Sequence, residues 1–194
     1  MQYSDDKYYI DKVLQGDVHA FSYLVEKHKR MAYTLAFRVV KCREEAEEIA
    51  QDAFVKAYQS MSSFRFESKF STWLYKIIYH LSISRLRKKQ VENISIDGEN
   101  NRTFDIMEAD HFINQMSRHE QYNLIHEAIG RLNPDEGALI TLYYLGEKSI
   151  KELKAITGDR ESNIKVKLFR ARKKLWDLLK NGFKDQIIEL YDVQ

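Results

Sequence analysis

Apolar positions along this chain recur at intervals of three and four, the period of helices that bury one face. From about Glu44, Ala46, Ile49, Ala50, Ala53, Phe54 and Ala57 form such a stripe, and its alanines let a neighbouring helix approach closely. Upstream, Phe21, Leu24, Val25, His28, Ala32, Leu35, Ala36 and Val39 make the apolar side of a longer helix that Asp17, after Gly16, is placed to cap. Downstream, Trp73, Ile77, Ile78 and Leu81 repeat the spacing. No stretch alternates apolar and polar residues between turn dipeptides, and Pro134 is the single proline, so the predicted fold is all-α.

The strongest local pattern lies in residues 149–175, SIKELKAITGDRESNIKVKLFRARKKL. Ser149 and Glu152 form a capping box that opens a helix, and Gly158 supplies the left-handed residue that closes it. After a turn at residues 159–161, with Ser162 as N-cap, Ile164, Leu168, Ala171 and Leu175 define the buried stripe of a second helix. Lys165, Val166, Phe169 and Lys173 fall on its free side, flanked by Asn163, Lys167, Arg170 and Lys174. Residues 165–174 hold six bases and no acid, stacking like charges at helical neighbours, which destabilises a helix unless an anion compensates. A helix-turn-helix that reads duplex DNA is the expectation, against the plainer reading of a solvated charged face.

Net charge is only +2 over 194 residues, but the charge is segregated. Residues 44–52 carry five acids and no base, residues 85–89 four bases and no acid, and residues 92–110 six acids against Arg102. The last of these lies in an irregular, Asn- and Gly-containing stretch read as a linker over residues 91–118, 28 residues that would reach roughly 90 Å if extended. With 44% hydrophobic residues the chain suffices for one moderate core or two small ones, and the linker favours two. The predicted organisation is therefore two small helical domains, 1–90 and 119–181, joined by a flexible acidic linker and followed by a tail, 182–194. In that tail Phe183, Ile187, Ile188 and Leu190 suit a final helix or a partner contact.

Two further surfaces stand out. Glu45, Glu48 and Asp52 line up on one face of the alanine-striped helix, and Glu48 and Asp52 lie beyond the first turn, where dipole compensation no longer explains them. A docking face for a basic partner is expected. After that helix, Phe64, Phe66, Phe70, Trp73, Tyr75 and Tyr79 interleave with Arg65, Lys69 and Lys76 and then the run Arg85, Arg87, Lys88 and Lys89. Aromatic faces with cations suit unstacked bases and a single-strand backbone. Core packing is the competing reading for most of the rings, which leaves the loop at residues 64–69 as the expected exposed reader.

Taken together, EEAEEIAQDAFVKAYQSMSSF, FSTWLYKIIYHLSISRLRKK, Leu132-Asn133-Pro134 and NIKVKLFRARKKL resemble regions 2 and 4 of the extracytoplasmic-function (ECF) sigma factors of bacterial RNA polymerase. The resemblance implies that Glu45, Glu48, Gln51 and Asp52 dock the clamp coiled coil of the core enzyme, whose flap meets the second domain. It implies that Phe64, Arg65, Phe66, Lys69, Trp73 and Tyr75 meet the melted minus-ten strand, with Arg85, Arg87, Lys88 and Lys89 on phosphates. Ser162, Asn163, Lys165, Val166, Lys167, Phe169 and Arg170 would meet the minus-thirty-five duplex, with Arg172 and Lys173 on its backbone. Three departures stand out: Phe66 where the family commonly has Gly, Glu152-Leu153-Lys154 where it has Glu-Ile-Ala, and Val166 where it has Ser.

Core polymerase, promoter DNA and an anti-sigma protein, often membrane-bound in this family, are the implied partners. No cofactor, metal or chemical step is expected. Two other classes compete: a dimeric helix-turn-helix regulator of duplex operators, and a small metal-dependent enzyme using His19, His28, His80, His111, His119 or His126. The enzyme lacks support from any HExxH, Cys/His spacing, phosphate loop or nucleophile motif. Cys42 stands alone, and neither a signal region nor a spanning apolar run is present, so a cytoplasmic protein without membrane insertion is expected.

Overall fold

The computed structural model describes residues 2–94 and 118–191, with side chains over 6–89 and 124–179. In chain order the helices are α1 (Gln2–Leu14), α2 (His19–Val40), α3 (Arg43–Gln59), α4 (Phe70–Ile94), α5 (Arg118–Gly130), α6 (Pro134–Ile140), α7 (Ile150–Thr157) and α8 (Glu161–Tyr191). A 3-10 turn at Met61–Ser63 precedes the loop into α4, and α6 runs on into a π turn at Thr141–Leu145. No strand occurs among the described residues.

In the first half α2, α3 and α4 pack together through the stripes read from the sequence. Ala46, Ile49, Ala50, Ala53, Phe54 and Ala57 are all buried, and Ala46, Ala53 and Ala57 have no exposed surface, so α3 approaches its neighbours at its small residues. Leu24, Leu35, Leu74 and Ile78 fill the space between, each contributing about 1.5–3 kcal/mol by leaving water. Helix α1 lies along α2. Ile10 and Val13 enter the core, Tyr9 stacks on Tyr23 with ring centroids 3.7 Å apart, and Asp6 takes hydrogen bonds from Lys27 (2.6 Å) and His28 (3.3 Å).

Local signals placed the helix ends closely. Asp17 Oδ1 accepts from the Ala20 N–H at 3.3 Å although α2 begins at His19, and Asn133 accepts from the Glu136 N–H at 2.9 Å with Pro134 in the first helical position. The capping box of α7 is complete, and Gly158 closes it at φ +80°. Ser162 is not the N-cap of α8. The helix starts at Glu161, and its first bond runs from the Ile164 N–H to the Arg160 carbonyl, so the turn is two residues shorter than expected.

The predicted linker is shorter at both ends, because α4 runs to Ile94 and α5 begins at Arg118; residues 95–117 lie outside the described residues. The predicted tail is not separate either, since α8 continues unbroken to Tyr191. The described helices fall into two halves, α1–α4 and α5–α8, as the sequence predicts. Buried residues of α2 and α4 run continuously into Leu139, Ile140, Leu142, Leu153, Ile156, Ile164 and Leu168 of the second half as one cluster. Helical spacing reveals which side of a helix is buried, and it is silent on whether two buried sides share a core.

Candidate nucleic-acid interface

Helices α7 and α8 form the helix-turn-helix, held by Leu153 and Ile156 on one and Ile164, Leu168 and Ala171 on the other, all buried. The basic residues of α8 divide into two sets. Ser162, Asn163, Lys165, Val166, Phe169, Arg170 and Lys173 face outward, and Phe169 is 67% exposed, an unusual position for a large ring unless something covers it. The others turn back onto their own domain. Lys167 Nζ donates to Asp135 Oδ2 (2.8 Å) and Asp159 Oδ2 (2.7 Å), Lys174 Nζ holds Glu136 at 2.9 Å, and the Arg172 guanidinium lies 5.4 Å over the Tyr143 ring. Burial disfavours the Lys167 charge, but its two carboxylates outweigh this and raise its pKa. Lys167 and Arg172 were expected on DNA; here both are engaged within the protein.

The loop between α3 and α4 corrects a second expectation. Phe64 is 7% exposed, packed edge-on to Phe70 and at 5.1 Å from the Trp73 ring, so it is core and not reader. Tyr75 is also buried, at 5%, beside the His28 ring, and its hydroxyl pKa is pushed up by burial and then by Asp6. Helical spacing could not separate these inward rings from outward ones. Arg65, Phe66 and Lys69 do lie exposed, and Trp73 is half-buried. Phe66 adopts φ +56°, the left-handed region where glycine is at ease, which accounts physically for the Gly common at this position in the resembling family.

On α3, Glu48, Gln51 and Asp52 are exposed and Glu45 is half-buried. The acidic face is not free of cations. Arg85 Nη2 lies 2.9 Å from Glu48 Oε1, and Lys89 Nζ 3.3 Å from Glu45 Oε1, so two bases of α4 expected on phosphates sit on two acids expected on polymerase. The bond from Arg85 lowers the Glu48 pKa. Arg87 and Lys88 are exposed.

One basic surface escaped sequence reading. Lys76 and His80 of α4 line a groove with Lys151 and Lys154 of α7, and Lys56 stands at its continuation beside Trp73. Burial lowers the His80 pKa, and the charges of Lys76, Arg87 and Lys56 lower it further. These residues come from separate helices at no fixed spacing, so only their shared positive sign could have drawn attention to them. Among the described residues no three His, Cys, Asp or Glu side chains stand together as a metal site, and no helix is long and apolar enough to cross a membrane.

A four-helix first half bearing an acidic face and a basic helix, followed by a helix-turn-helix with an outward basic face, defines a two-part DNA-binding protein. Comparison with known proteins places it further. Residues 24–92 match Sigma-70 region 2, and residues 122–175 match Sigma-70, region 4. The ECF RNA polymerase sigma factor SigW of Bacillus subtilis is 33% identical, over 86% of this chain and 92% of that protein. The ECF RNA polymerase sigma-E factor of Escherichia coli is 28% identical, over 86% of this chain and 90% of that protein. Among solved structures, sigma factor RpoE of Bartonella quintana, in complex with the anti-sigma factor NepR, superposes with a TM-score of 0.66 at 27% identity, over 84% of this chain and 98% of that one. CnrH, solved with the cytosolic domain of CnrY, shares the fold at a TM-score of 0.63 and 20% identity, over 91% of this chain and 98% of that one. The chain belongs to the ECF sigma factors, alternative sigma subunits that direct RNA polymerase to promoters. The dimeric operator-binding regulator is not favoured.

Proposed function

We propose that residues 1–90 bind the polymerase clamp and the melted minus-ten strand, and that residues 119–181 read the minus-thirty-five duplex and meet the flap. What supports this reading above all is the outward face of α8, where Lys165, Val166, Phe169, Arg170 and Lys173 stand exposed with no acid among them. Val166 and Phe169 offer apolar contacts of the kind a thymine methyl accepts, while Lys165, Arg170 and Lys173 suit phosphates and base edges.

In the first half, the exposed Glu48, Gln51 and Asp52 would meet a basic helix, and the exposed Arg65, Phe66 and Lys69 with the half-buried Trp73 would meet an unpaired strand. Unstacking a base costs a few kcal/mol, offset by stacking and by phosphate contacts from Arg85, Arg87, Lys88 and Lys89. The subunit performs no chemical step and needs no cofactor. It works where the polymerase is, in the cytoplasm, and its regulator is an anti-sigma protein of the kind bound to the Bartonella relative. The test is pull-down of core polymerase followed by promoter capture. Glu48→Ala with Asp52→Ala should weaken the first step, and Lys165→Ala with Arg170→Ala only the second.

A further inference from the structure

The aromatic and basic pattern of the loop at residues 64–69 continues onto α1. That helix brings Lys7 to the loop: the Lys7 ammonium stands 5.9 Å over the Phe66 ring, within reach of a cation–π contact. The next residue, Tyr8, is 57% exposed, an unusual position for a large ring, and the Lys12 ammonium lies 5.8 Å over it. Helix α1 also lies ahead of residues 24–92, the part of the chain that matches Sigma-70 region 2, so that match assigns it no role.

The placement of Lys7 is built into the fold. Ile10 of α1 is 1% exposed, and Tyr9 stacks on Tyr23 of α2 with ring centroids 3.7 Å apart, so the helix that carries Lys7 is fastened on two sides. Asp6, the acid beside Lys7 in the sequence, is taken by Lys27 at 2.6 Å and by His28 at 3.3 Å. Its charge is therefore spent on α2. Among the described residues no acid pairs with Lys7, which is exposed. With Arg65 and Lys69, exposed on the loop itself, it supplies a third cation to the loop region.

A base that stacks on a ring brings its phosphate with it, so a stacking platform needs a cation close by. A cation–π contact at an exposed site is weak, and the four-carbon lysine stem is flexible, so the Lys7 ammonium can pass from the ring to an adjoining phosphate. We propose that α1 extends the strand-binding site: Lys7 binds the phosphate beside the base that stacks on Phe66, and Tyr8 with Lys12 continues the path beyond it. This rests on the strand-reading role given to the loop above.

Lys7→Gln, Lys7→Arg and Tyr8→Ala alter exposed side chains and should melt as the intact chain does. Anisotropy of a labelled single strand of mixed sequence, titrated with the free chain across a range of salt, reads the site. Lys7→Gln should reduce the slope of log affinity against log salt by about 0.7, one single-strand phosphate contact, which is about fivefold in affinity at 0.1 M salt. Lys7→Arg should keep both. Tyr8→Ala should lower affinity about tenfold with the slope unchanged, as a lost stacking platform does. Binding of a duplex, read by α8, should be unaltered in all three. No strand binding by the intact chain, an unchanged slope in Lys7→Gln, an equal loss of slope on duplex, or unchanged strand affinity in Tyr8→Ala would each overturn the proposal. Run-off transcription with core polymerase and the intact chain keeps the two readings apart. If the strand results stand and no transcript starts, the sigma reading fails; if transcripts start and the strand results do not stand, the role of α1 fails.

Discussion

Arg85 Nη2 and Glu48 Oε1 stand 2.9 Å apart, joining the helix expected to hold DNA phosphates to the helix expected to dock polymerase. A basic clamp helix arriving at Glu48 would compete with Arg85 and leave its guanidinium for a phosphate. Enzyme binding and strand binding would then favour one another, as linkage requires in both directions.

Glu48→Gln separates the two effects. Affinity for core polymerase is expected to fall about tenfold, as one interfacial charge is lost, while affinity of the free chain for single-stranded DNA holds or rises because Arg85 is released. Competition binding to labelled core enzyme, beside anisotropy with a labelled strand, reads both. A parallel fall in the two affinities would contradict the exchange.

Phe66 occupies a left-handed backbone position at φ +56°, with the residue 37% exposed and its ring 4.8 Å from the Phe64 ring. Phe66→Gly and Phe66→Ala both lose the ring, but only glycine relieves the backbone. The glycine variant should therefore be the more stable of the two by about 1 kcal/mol, measured by urea unfolding. Equal stability would mean that the backbone there is not constrained.

Glu152 is at once the capping-box partner of Ser149 and the acceptor for Thr72. Burial works against its charge, but hydrogen bonds from the Ser149 backbone and hydroxyl and from Thr72, with the Lys148 charge, outweigh it and bring the carboxyl to about 2 from an ordinary 4.5. A depressed folded pKa contributes stability that is complete above pH 4.5 and is lost as pH falls from there toward 2. Glu152→Gln should flatten the acid limb of a stability-against-pH curve in that window. Ser149→Ala should lower stability near neutral pH by about 1 kcal/mol through loss of the cap.

Lys165 and Lys167 are near neighbours with opposite situations, one exposed and one held by Asp135 and Asp159. Lys165→Ala should weaken duplex binding and reduce the slope of log affinity against log salt by about 0.9, one phosphate contact. Lys167→Ala should leave that slope unchanged and lower the melting temperature instead. Salt titrations of a fluorescent promoter duplex, alongside thermal melts, separate the two.

What could be read from the sequence was what local spacing encodes. The α3 alanine stripe, the Ser149–Glu152 box, the Gly158 turn and the buried side of α8 each depend on residues within a few turns, and each stands in the structure where it was expected. Phe64 and Tyr75 were misjudged because an aromatic next to a cation has the same spacing whether its ring points in or out. Thr72 with Glu152 and Tyr79 with Asp135 lie 80 and 56 positions apart, and nothing local to either member marks it as a contact. The acidic face was legible as a charge run; its pairing with Arg85 and Lys89, across 37 and 44 positions, was not.

Run-off transcription with core RNA polymerase over a mixed promoter pool tests the central claim most directly. The intact chain should start transcripts at defined sites, Glu48→Ala with Asp52→Ala should lower yield by weakening core binding, and Lys165→Ala with Arg170→Ala should lower yield by loss of promoter choice with core binding intact. Core polymerase that gains no specificity from the chain, while the chain alone protects a duplex site, would contradict it.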